Sequence, residues 1–187
     1  MKKRTIGILA LLAAAAGAAV FALTQGTFNA DIPAPVTETP TATATAENQP
    51  CAYMWAYQGV PDITAELSDA VQAIFPEASA HAQAFGENCV SADGSFTFGA
   101  METDFYVSLP VPDLDDNAAL GQIIESVLSV VDGFPHSRLP GPQDGFVEFT
   151  FKNGAEQRIV RVPIPRGVEL RRQGLHGAEL IQALETP

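Results

Sequence analysis

The chain has 187 residues and a formal net charge of −12, with two cysteines and 17% charged side chains. Lys2, Lys3 and Arg4 are followed by no further basic residue until Arg138, while thirteen acidic residues fall between Cys51 and Ser137. A body this acidic repels phosphate backbones, which excludes nucleic acid as a natural partner and favours cations or a basic protein surface.

Met1 to Arg4 is a positive cluster ahead of an apolar run from Thr5 to Leu23. That order is expected of an export leader over residues 1–30, either a cleaved signal peptide or a retained N-terminal membrane anchor. Either way the remainder is expected outside the cytoplasm, touching a membrane only through this segment. Residues 31–50 are rich in Pro, Thr and Ala and nearly free of large apolar side chains. They bury too little surface to offset their ordering entropy and read as an extended stalk. Residues 51–187 are the right size for one acidic domain.

Cys51 and Cys89 are expected to form a disulfide, because export places them in an oxidising compartment. Closing that loop would stabilise the fold by about 2–4 kcal/mol through restriction of the unfolded chain. The competing reading, two free thiols at a redox or metal site, lacks a CxxC spacing and a neighbouring histidine.

Ala52 to Tyr57, aromatic and short, is expected to be a strand. With Asp62 as N-cap, Ile63, Leu67, Val71 and Ile74 recur at helical spacing as far as Phe75-Pro76. Pro76 can open a second helix that turns Ala78, Ala82 and Phe85 inward and stops at Gly86. On that helix Glu77 and His81 would form an i,i+4 surface pair rather than half of a zinc site. Asp93-Gly94 is a hairpin turn joining Asn88–Ser91 to Ser95–Phe98. From Thr103 to Val111, Phe105, Val107, Leu109 and Val111 alternate with polar positions, giving a half-buried strand.

Leu120, Ile123, Ile124, Val127, Leu128 and Val131 mark an amphipathic helix ended by Gly133. The Pro/Gly-rich loop from Phe134 to Gly145 carries His136 and Arg138. Val147, Phe149 and Phe151 then alternate with Glu148 and Thr150, and Asn153-Gly154 supplies a turn. A two-residue turn there would set Val147 opposite Val160 and Glu148 opposite Ile159. After Pro163 and Pro165 the chain is expected to loosen through Arg171-Arg172, and a short helix with Leu180, Ile181 and Leu184 closes it. The expected fold class is α+β: an antiparallel sheet with helices on one face, ferredoxin-like βαββαβ with an added C-terminal strand and helix.

The catalytic signals are weak, and no cofactor is implied. Asp113, Asp115 and Asn117 open like a calcium loop, but Ala118 and Ile124 stand where the pattern needs Gly and Glu; helix capping explains the carboxylates without metal. Glu102 and Asp104 could act as an acid/base pair, with His136 from the loop, in a small secreted hydrolase. No nucleophile elbow or phosphate loop accompanies them. The outward sheet face is the better candidate: Tyr106, Phe146, Glu148, Ile159 and Arg161 make an aromatic and aliphatic surface dotted with charge. It suits an extracellular or envelope protein, another copy of the domain, or a covering C-terminal helix. The function expected is a non-catalytic interaction domain on a flexible stalk, its oligomeric state open, with the hydrolase as the alternative.

Overall fold

A computed structural model describes residues 51–186. Along the chain run β1 (Ala52–Gly59), α1 (Pro61–Ile74), β2 (Ser79–Val90), β3 (Phe96–Pro110) and α2 (Asn117–Asp132). A 3-10 turn at His136–Arg138 leads to β4 (Gln143–Asn153), β5 (Glu156–Pro163), α3 (Ile164–Arg172) and α4 (Gly177–Glu185). The fold is α+β, with five strands in one sheet and four helices. The expected leader and stalk lie outside the described residues.

The strands lie in chain order across the sheet, β1-β2-β3-β4-β5. Only β3 and β4 are parallel; the other neighbours are antiparallel. The ferredoxin-like arrangement is not confirmed by this order, since β1 and β2 sit side by side and antiparallel instead of flanking a third strand. One face of the sheet makes the core. Phe105, Val107, Leu109, Val147, Phe149, Phe151, Val160 and Val162 point into it from alternate positions of three strands. Ile63, Leu67 and Val71 of α1, with Leu120, Ile124, Val127, Leu128 and Val131 of α2, complete it. The terminal helix packs on α2 and α3, so it joins the helix layer, and no helix among the described residues covers the outward face of the sheet. Its start sits so close to α2 that a Cβ on Gly121 would meet the Gly177 carbonyl oxygen at 2.0 Å.

The expected second helix after Pro76 is strand β2, and Glu77 lies in the turn before it. Glu77 and His81 therefore share no helical face. Ala78 and Ala82 are buried as expected, but Phe85 points outward, where it meets Trp55 and Tyr57. The alanines have a structural use. Small inward side chains bring α1 close enough for the Thr64 hydroxyl to donate to the Ala82 carbonyl (3.2 Å) and accept from the Ala82 N–H (3.0 Å). These bonds satisfy β2 beyond the point where its pairing with β1 stops at Gln83.

Three further expectations change in detail. The N-cap of α1 is Val60 rather than Asp62, with Pro61 in the first turn where its missing N–H costs nothing. The β4–β5 turn is Gly154-Ala155, with Gly154 at φ +60°, so Val147 faces Val162 and Glu148 faces Arg161. A slip of two residues keeps every side chain on its expected face. The stretch expected to loosen after Pro163 is helix α3, again with proline in its first turn.

Candidate functional site

Cys51, one residue ahead of β1, is disulfide-bonded to Cys89 of β2, with Cα atoms 5.2 Å apart. Tyr53 lies directly opposite Cys89 in the register. The bond clamps β1 to β2, its one neighbour among the described residues.

The five residues expected on the outward face come together. Tyr106 faces Glu148 across β3–β4, and Glu148 faces Arg161 across β4–β5. The Phe146 ring meets Tyr106 edge-on (5.7 Å between centroids), and the Arg161 guanidinium lies 4.2 Å above the Phe146 centroid. The same guanidinium donates to Glu148 at 2.6 Å. Arginine is thus held between an aromatic face and a carboxylate. Burial pushes the Tyr106 hydroxyl up to about 12, so it stays a neutral donor. Ile159 stands opposite Thr150 at the margin of this surface and is exposed.

The face also extends beyond these five. His81 stacks on Tyr106 at 4.8 Å with the ring planes almost parallel. Trp55 and Tyr57 of β1 lie against Phe85 at 5.4 and 5.1 Å. Trp55 is 68% exposed, Tyr53 66% and Tyr57 59%. Glu87 faces Trp55, and Glu102 faces Phe85. Aromatic rings therefore run along the outward face from β1 to β4. A shallow depression of about 200 Å³ between Ser79, His81, Tyr106, Ser108, Glu148 and Thr150 lies in the same surface. The larger depression, about 520 Å³, lies elsewhere, between α2 and α3.

Of the expected acid/base residues, Asp104 and His136 are already engaged. Asp104 is 1% exposed and accepts from the Phe146 N–H at 3.2 Å. It packs so tightly on Gly145 that a Cβ there would sit 2.4 Å from Asp104 Oδ1. Burial pushes its carboxyl up to about 6, with the Glu102 charge a lesser contribution. His136 is engaged by Asp144 at 2.7 Å.

Of the calcium candidates, Asp113 and Asn117 are engaged by the protein itself. Asp113 accepts from the Asp115 N–H at 2.8 Å, and Asp116, the N-cap of α2, accepts from the Ala119 N–H at 2.9 Å. Asn117 Oδ1 accepts from Arg158, which also bonds the Leu114 carbonyl and Glu185. Asp116 caps α2, and a guanidinium holds Asn117.

Sequence reasoning missed Tyr53, Trp55, Tyr57, Phe85 and His81 as members of this face. The available signal was Ala78, Ala80, Ala82 and Ala84, an inward set at strict spacing of two, with Ser79, His81, Gln83 and Phe85 between. Comparison with protein-family models, with curated proteins and with solved structures finds no match to this chain.

Proposed function

We propose that residues 51–187 are a non-catalytic binding domain, displayed outside the cytoplasm behind the leader and the Pro/Thr/Ala stalk. It engages an extracellular or envelope protein through the outward sheet face. One observation carries the proposal: among the described residues no helix covers this face, yet its aromatic side chains are held against one another and end in three exposed rings on an edge strand. Ordered, exposed aromatic surface of this extent marks interaction sites. The disulfide agrees with an oxidising compartment. The acid/base alternative is less well supported, because Asp104 is sealed behind Gly145 and His136 is tied to Asp144.

A photo-crosslinking side chain at position 55, in cells that make the protein, is expected to capture a discrete protein adduct. The same group at Asp69, exposed on α1, is not. Equal labelling at both positions, or none at either, would overturn the proposal.

A further inference from the structure

The distal end of the sheet bears large exposed side chains on both faces. Tyr53, Trp55 and Tyr57 stand on one face, and Met54 and Phe96 are exposed as well. Met54, Asn88 and Phe98 share a cross-strand row on the opposite face. β1 itself, Ala-Tyr-Met-Trp-Ala-Tyr-Gln-Gly, is an edge strand with no lysine, proline or other charge to block pairing. Natural edges are usually guarded by such residues. An unguarded edge of eight residues is suited to accepting one more strand.

The chemistry around that edge has one sign. Ring faces carry negative electrostatic potential. Glu87 lies on the adjacent strand β2, opposite Trp55, and Glu102 lies beyond it on β3. Asn88 Oδ1, beside a cavity of about 170 Å³ lined also by Ala56, Gln58, Phe96 and Phe98, is a buried acceptor without a donor. No Lys or Arg occurs between Cys51 and Ser137 to answer any of these. At the other end of the same face, Arg161 lies on Phe146 and bonds Glu148. Trp55 with Glu87, and Phe85 with Glu102, repeat the ring and the carboxylate without the cation.

Resting on the binding-domain proposal, we infer that β1 receives an extended basic polypeptide segment as an additional strand. Its alternate Lys or Arg side chains lie on Trp55 and Tyr57 and reach Glu87 on the next strand. Main-chain hydrogen bonds to the edge supply affinity, and the period-two cations supply selectivity. A second copy of this chain is the poorer occupant: two bodies of net charge −12 repel, and β1 brings no cation to the other's rim.

Trp55 is the only tryptophan in the chain, so intrinsic fluorescence reads this strand directly. The full chain would be titrated with a peptide of about ten residues alternating Lys and Thr, and with its Glu/Thr counterpart. The Lys/Thr peptide is expected to give a saturable change in Trp55 emission that weakens with added salt, while the Glu/Thr peptide gives none. The variant Glu87→Gln, which keeps side-chain shape and hydrogen-bonding capacity, should weaken the response at least about tenfold with an unchanged circular dichroism spectrum. Equal responses to both peptides, no response to either, or full binding by the Glu87→Gln variant would overturn the inference. So would a change in Trp55 emission on dilution of the chain alone, which would assign the edge to a second copy. An adduct at position 55 with failure of the Lys/Thr peptide leaves the binding-domain proposal standing and removes only the basic ligand. Loss of the adduct removes the proposal on which both rest.

Discussion

The two ends of the sheet are built on opposite principles. In β4, every second residue from Gly145 to Phe151 is buried, because helices cover that face and the parallel neighbour β3 covers one edge. In β1, all eight residues except Ala56 are exposed, although the strand is as regular as β4. β4 is held by burial, at roughly 25 cal/mol for each Å² of apolar surface removed from water. β1 is held by one ladder of hydrogen bonds and a disulfide. The contrast separates where the fold is stabilised from where it offers surface to others. Aromatic side chains kept in water at a clamped edge add little to stability, so their placement calls for a different explanation, and binding supplies one.

The largest break in this comparison should come from the helix-backed end. Phe149→Ala removes a fully buried ring that stacks on Phe151 at 5.8 Å, and should cost about 3–5 kcal/mol in denaturant unfolding. Removing the clamp with Cys89→Ser should cost about 2–4 kcal/mol. Amide exchange should then rise first in β1, before β4 is affected.

Asp104 sharpens the boundary between the two ends. Burial raises its carboxyl to about 6 from an ordinary 3.8, so the folded chain holds a proton that the unfolded chain has already released. Stability is therefore greatest below the unfolded value and falls as pH rises through the folded one. Asp104→Asn, which keeps the acceptor for the Phe146 N–H, should remove that loss. The variant should gain on the order of 2 kcal/mol at pH 7 and little near pH 4, read from unfolding midpoints across pH. A flat difference with pH would show that the carboxylate is not held neutral by its surroundings. The smallest effect on stability is expected at Trp55→Ala, within about 0.5 kcal/mol, because the ring is 68% exposed. A loss as large as that at Phe149 would make Trp55 part of the fold's support and not of its interaction surface.

Much of this architecture could be read from the residues alone. Helix α2, the alternation in β3 and β4, the Asp93-Gly94 turn and the terminal helix follow from apolar spacing and turn chemistry, while the β4–β5 turn falls one residue later than Asn153-Gly154. The stretch Pro76–Gly86 could not, because its inward period is written in alanine. Alanine is the best helix former, and four of them invited a helical reading. Tertiary packing decides otherwise, since only residues that small let α1 lie close enough for Thr64 to bond the strand. That single misassignment hid half of the candidate surface, because Phe85 and His81 were placed on a helix instead of beside Trp55 and Tyr106. The other half, Tyr106 through Arg161, was legible because Glu148 and Arg161 remain on the outward face even when the hairpin slips by two.

The separation of support from recognition is tested most directly by native-state hydrogen exchange, residue by residue, with and without the Lys/Thr peptide. In the free chain, the paired amides of β1 from Ala52 to Gly59 should exchange well ahead of those in β4. Adding the peptide should slow β1 by at least about tenfold and leave β4 unchanged. Equal protection of the two strands in the free chain, or no slowing of β1 by the peptide, would contradict the account.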